Sequence, residues 1–110
     1  MESAFLKSFC VAGFTYYQGP FVLKQMSVGD KIDLYVEAEN IHDEYAVALY
    51  FNDRKIGFIP REDNREVAVI LKSGYDIFEA IVQQVAPEEH PESQVRVALY
   101  VRPQNPVAEK

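Results

Sequence analysis

The chain has 110 residues, 48% of them hydrophobic and 25% charged, and a formal net charge of -6. That length holds one domain with one core, and the acidity argues against the uniformly basic surface of a simple nucleic-acid-binding protein, though not against a local basic groove. No apolar run approaches the roughly 18 residues that cross a bilayer, and the lone Cys10 excludes an internal disulfide or thiolate metal cluster.

The Met1–Lys7 start lacks the basic region and apolar core of a signal peptide, so an intracellular, cytoplasmic location is expected, nucleoid-associated if DNA is the partner. Lys7 to Gly13 reads as a short strand ended by glycine, with Cys10 packing in it as a small hydrophobe. Lys31 to Ala38 alternates, with Ile32, Leu34, Val36 and Ala38 on one face and Lys31, Asp33, Tyr35 and Glu37 on the other, the pattern of a half-buried strand. Ala46 to Phe51 and Lys55 to Ile59 are two further apolar runs. Asn52-Asp53-Arg54 joins them as a tight hairpin, because Asn and Asp tolerate positive φ, and Pro60 stops the second run.

A helix follows, capped by Asp63 or Asn64, with Val67, Ile70 and Leu71 at helical spacing, Lys72 in its last turn and Gly74 just beyond. Asp76 to Val85 returns to strand character or forms a short amphipathic helix. After the polar loop at 87–92, Gln94 to Arg102 turns Val95, Val97, Leu99 and Val101 to one side. Pro103 to Lys110 is expected to be a flexible tail. The fold class is mainly β, a β-rich α+β chain forming a small antiparallel barrel or strongly bent sheet of about six strands with one or two short helices. All 110 residues form one domain, with a core from about residue 6 to residue 101.

Three stretches carry possible chemistry. In Val11 to Pro20, the adjacent Tyr16 and Tyr17 lie just past a strand end and cannot both enter one core. An exposed aromatic there suits stacking of unpaired bases; alternatively both rings close the end of the barrel. In Glu37 to Ala46, an exposed connection, Asn40 and Asp43 can bond nearby amides and fix a turn. His42 with Glu39, Asp43 and Glu44 could hold a metal, but the spacing fits no standard motif, so no metal or cofactor is expected. In Lys55 to Glu62, Gly57 signals a bend or a close backbone approach, and Arg61 could reach a phosphate, a carboxylate or a neighbouring glutamate. No serine or cysteine has a plausible base and no phosphate-binding glycine loop occurs, so the chain is read as a binding domain and not an enzyme.

Together, Phe14-Thr15-Tyr16-Tyr17-Gln18-Gly19, Glu39-Asn40-Ile41-His42-Asp43-Glu44-Tyr45-Ala46 and Lys55-Ile56-Gly57-Phe58-Ile59-Pro60-Arg61 resemble, in order and spacing, the motifs of the HIRAN domain, over roughly residues 6 to 101. The resemblance implies a modified OB-like β-barrel of the kind found alone in bacteria or fused to helicases, nucleases and other DNA-repair modules. It implies binding of single-stranded DNA 3′ ends in repair or replication-fork processing, possible partnership with a helicase or nuclease, and no membrane or small-molecule substrate. By position, the binding residues would be Thr15, Tyr16, Tyr17, Asn40, His42, Asp43, Phe58 and Arg61. Tyr16 would stack a base, Asp43 would accept from the terminal hydroxyl, Arg61 would meet a phosphate and Phe58 would floor the groove, with Tyr17 packing inward.

Thr15, His42 and Phe58 stand where relatives place a basic residue, a tyrosine and a histidine. With the acidic charge, they imply weaker and more salt-sensitive binding than in eukaryotic relatives. The alternative is a protein-interaction barrel that docks a partner without nucleic acid, motivated by Glu37, Glu39, Asp43 and Glu44 around one turn.

Overall fold

A computed structural model describes residues 2–104. The strands run β1 (Ala4–Cys10), β2 (Lys31–Val36), β3 (Val47–Phe51), β4 (Arg54–Phe58), β5 (Phe78–Val85) and β6 (Val95–Val101). Helix α1 (Gly19–Val22) precedes β2, and α2 (Arg61–Lys72) lies between β4 and β5. All strand pairs are antiparallel and the order across the sheet is β1-β6-β5-β2-β3-β4. The expected β-rich class with two short helices is therefore what forms, as a curled sheet that is not fully closed.

Alternation explains the core. Ile32 from β2, Val47, Leu49 and Phe51 from β3, Phe78, Ala80 and Val82 from β5, and Val95, Val97 and Leu99 from β6 all meet inside. Helix α2 adds Val67 and Ala68, with Ile70 and Leu71 at the margin. It begins three or four residues earlier than the sequence pattern suggests: Pro60 is the N-cap, and the Pro60 carbonyl accepts from Asp63 N at 2.9 Å. Asn64 is thus free of capping and points into the protein. Lys7 on β1 pins the helix from outside, donating to the Asp63 carbonyl at 3.2 Å and to Glu66 at 2.9 Å. Strand β1 starts at Ala4 and ends at Cys10, which is half-buried. Pro103 and Gln104 carry no regular structure, and the rest of the expected flexible tail lies outside the described residues.

The β3–β4 hairpin has the two-residue turn its composition calls for, with Asn52 at φ 47° and Asp53 at φ 67°. Strand β4 then carries a bulge. Tyr50 opposes Lys55 and Leu49 opposes Gly57, so Ile56 is the extra residue. The insertion changes the parity of the strand: Ile56 and Ile59 are both buried, while Lys55 and Phe58, three apart, share the outer face. At the bulge, Gly57 has φ 147°, and a Cβ there would lie 2.3 Å from the Ala12 carbonyl oxygen and 2.6 Å from Val11 Cγ1. That closeness lets the chain beyond β1 reach β4. Ala12 N donates to the Phe58 carbonyl and Phe58 N to the Ala12 carbonyl, each at 2.9 Å. This single bridge joins the two ends of the open ladder.

Gly57→Ala should therefore cost about 3 kcal/mol or more in urea unfolding, combining backbone strain with overpacking. Gly29→Ala is the control, since Gly29 also has positive φ, at 97°, but nothing lies within 4 Å of its Cβ position. Equal losses in the two variants would refute the crowding account.

Candidate nucleic-acid interface

The bridge brings three sequence-distant segments to one end of the sheet. The chain leaves Ala12 through Gly13 into a 3-10 turn, Phe14–Tyr16, closed by Tyr16 N donating to the Gly13 carbonyl at 2.9 Å. Phe14 is fully buried against Gly19, where a Cβ would lie 2.6 Å from its ring. In a 3-10 turn, residues three apart eclipse, so Tyr17 follows Phe14 inward and Tyr16 is turned out. Tyr16 is 83% exposed. Tyr17 is half-buried, meeting the Phe58 ring edge-on at 5.5 Å.

The second segment, residues 40–46, is tied down by its own side chains. Asn40 Oδ1 accepts from His42 N at 2.8 Å and Asp43 N at 3.0 Å, and Asp43 Oδ1 accepts from Tyr45 N at 2.9 Å. Helix α2 fastens the same turn from below. Asn64, 2% exposed and the one buried polar side chain among the described residues, donates to Asp43 Oδ2 at 2.8 Å. Arg61 donates to the His42 carbonyl at 3.3 Å and stands 3.8 Å from Asp43 Oδ2, while Lys72 donates to the Glu44 carbonyl. Glu37, at the foot of the turn, accepts from Asn40 Nδ2 at 3.0 Å and from Lys55 Nζ at 2.6 Å. Burial alone would raise the Glu37 carboxyl; the hydrogen bonds from Lys55 and Asn40, with the Lys55 charge, outweigh it and hold the group below its ordinary value.

A cavity of about 370 Å³ opens between these segments. Tyr16, Tyr17, Asn40, His42, Asp43, Phe58 and Arg61 line it, over a floor of small and aliphatic residues that includes Ala12 and Ile59. Of the expected binding residues, Thr15 alone is absent: it is exposed on the 3-10 turn but outside the lining. The only carboxylate in the lining is Asp43, 19% exposed at its side chain, and the guanidinium of Arg61, 73% exposed, stands beside it. Among the described residues, no three His, Cys, Asp or Glu side chains are grouped to hold a metal.

Sequence reasoning missed two supports of this site, Lys55 and Asn64. Asn64 could have been found by its helical spacing to Val67 and Leu71, which puts an amide on the buried face of α2. Lys55 could not, because its position depends on the bulge.

The fold and this cavity define a class: a small curled antiparallel sheet with a cavity at one end lined by aromatic and polar side chains. The HIRAN domain model matches residues 6–103, and the chain belongs to that family. HIRAN domains are generally nucleic-acid-binding modules, and the domain is not catalytic by itself. The crystal structure of a protein from Lactobacillus plantarum is similar, with a TM-score of 0.75, 22% identity, and coverage of 90% of this chain and 94% of that one. The HIRAN domain of human HLTF is similar at a TM-score of 0.65 and 18% identity, covering 92% of this chain and 81% of that one. No curated protein matches the sequence. Among the described residues no helix is long and apolar enough to cross a membrane.

Two outcomes follow. Asn64→Ala should lose about 1–3 kcal/mol in urea unfolding, because the partner it leaves is a charged, mostly buried carboxylate; a loss under about 0.5 kcal/mol would show that Asn64 is a bystander. Glu37 has a lowered folded pKa, so its contribution is present above the ordinary value of 4.5 and fades as pH falls through the lower folded value. The stability gap between wild type and Glu37→Gln should be largest at neutral pH and close in acid. A gap that widens in acid would contradict the assignment.

Proposed function

We propose that this domain binds single-stranded DNA at a free 3′ end, with the terminal nucleotide in the cavity and its base against Tyr16. The observation that carries the reading is the convergence of a water-exposed tyrosine, a preformed polar turn and an exposed arginine on one cavity. Base stacking on an aromatic ring contributes about 1–3 kcal/mol per base and does not depend on sequence. Tyr16 presents such a ring already in solvent, and Tyr17 and Phe58 supply an apolar wall for the sugar and the second face.

Asp43 supports the choice of end. Each of its oxygens accepts one protein hydrogen bond, and an ionised carboxylate has acceptor sites to spare. A terminal hydroxyl can donate to it, whereas a terminal phosphate would bring negative charge against negative charge. Arg61, exposed beside Asp43, would meet the first internal phosphate. Since Arg61 is the one lysine or arginine in the lining, the expected salt slope is shallow, about 0.7 per phosphate neutralised on a single strand. This geometry supports a shallower salt dependence than the more salt-sensitive binding expected from Thr15, His42, Phe58 and the net charge.

The protein-docking alternative anticipated acidic side chains ringing the groove. The lining holds one carboxylate, with an arginine and a histidine near it, which favours nucleic acid. A role in repair or fork processing, beside a helicase or nuclease, fits a module that recognises strand ends.

Fluorescence anisotropy with short labelled oligonucleotides decides the matter. A strand with a free 3′ hydroxyl should bind at low salt, a 3′-phosphorylated strand at least about tenfold more weakly, as expected for one misplaced charge. Tyr16→Ala should lose about 1–3 kcal/mol of affinity without loss of fold stability. If neither strand binds, the proposal fails; if both bind alike, Asp43 does not read the end.

A further inference from the structure

Lys55 and Glu37 do not line the cavity, yet they connect its two walls. The Lys55 ammonium stands 4.7 Å from the Tyr17 ring centroid and 4.4 Å from that of Phe58. It also donates to Glu37 Oε2 at 2.6 Å, while Glu37 Oε1 accepts from Asn40. Asn40 in turn holds the amides of His42 and Asp43. One unbroken chain of contacts therefore runs from the aromatic wall, through an ion pair, to the polar turn.

We infer that Lys55 is a positioning residue whose pairing with Glu37 sets the spacing between the Tyr17–Phe58 wall and the Asn40–Asp43 turn, and that it does not itself contact phosphate. Its charge is already committed. The Lys55 and Glu37 side chains are only 24% and 23% exposed, and a short charge-assisted bond neutralises both. The ammonium faces two ring systems at once, and cation–π attraction strengthens as the cation loses water. No other contact described for Tyr17 or Phe58 ties either ring to the turn: the ties from Asn64, Arg61 and Lys72 all run from the turn to α2. A binding wall must stay within about half an ångström of its productive place to keep its contacts, so a connection of this kind governs affinity without touching ligand.

The binding part of this inference rests on the nucleic-acid reading of the cavity; the positional part does not. The test uses the full chain with Lys55→Met, Lys55→Arg and Arg61→Met, read by NMR and by titration with a short oligothymidine bearing a free 3′ end across a salt series. In Lys55→Met the backbone amide signals of His42 and Asp43 and the ring signals of Tyr17 and Phe58 should all shift. Affinity should fall about tenfold, the scale of losing a support behind a binding group, and the slope of log K against log salt should not change. Lys55→Arg should restore most of the affinity, while Arg61→Met should lower the slope by about 0.7.

A slope lowered in Lys55→Met as in Arg61→Met would make Lys55 a phosphate ligand and overturn the inference. Stationary His42 and Asp43 amides would overturn it too. If Lys55→Met does not fold, Glu37→Gln removes the charge at nearly constant shape and is judged by the same amide and ring signals. If the wild-type protein binds no oligonucleotide, the function proposed for the cavity falls, and the NMR signals alone decide the role of Lys55.

Discussion

The two hydrogen bonds between Ala12 and Phe58 join the ends of a sheet that would otherwise stay open, and the candidate cavity lies directly against them. They form because Gly57 leaves no side chain where the Ala12 carbonyl passes. Remove that approach and the 3-10 turn carrying Tyr16 keeps only the Tyr17–Phe58 ring contact and the Gln18 bonds to Lys55 and Arg54 as ties to β4, while the 40–46 turn keeps its ties to α2. The site is thus a seam, made where the chain returns to its own beginning. Residues 12–17, 40–46 and 58–61 can be neighbours only in the curled form, which explains why the local sequence around each says so little alone.

Much of the frame was legible because it rests on two-residue periodicity. The β2 alternation, the run of Val95, Val97 and Leu99, and the Asn52-Asp53 turn all appear where the residue types put them. The errors fall where a backbone partner outweighs local preference. Helix α2 starts at Arg61 because Pro60 supplies the cap by its carbonyl, which releases Asn64 to serve Asp43. Short helix α1 was missed, since four residues around Gly19 and Pro20 give no period to detect. Thr15, expected in the site by position, is exposed on the turn that bears Tyr16 and lies outside the cavity lining.

Seven of the residues proposed to bind, suggested by the order of three motifs, line one cavity, while the side chains that support them were not legible. Supports are set by faces and parity, which in β4 depend on one inserted residue. Asn64 shows the same asymmetry on a helix: its type suggested a cap, its spacing suggested burial, and packing decided for burial. A buried amide that donates to a carboxylate is costly to separate from it, so the bond fixes where Asp43 points before any ligand arrives. The order in the turn is established during folding and is not a cost of association.

The bulge at Ile56 has a consequence for how this strand can vary. Because Lys55 and Phe58 share a face only through one surplus residue, the segment is sensitive to length in a way it is not to composition. Exchanging Phe58 for another aromatic keeps the wall in place. Deleting a single residue between 55 and 58 would leave the two on one face by ordinary alternation, but it would remove the bulge at which Gly57 lets the Ala12 carbonyl approach. In a set of diverged copies of this domain, the count of residues between those two positions should hold steady while their identities drift.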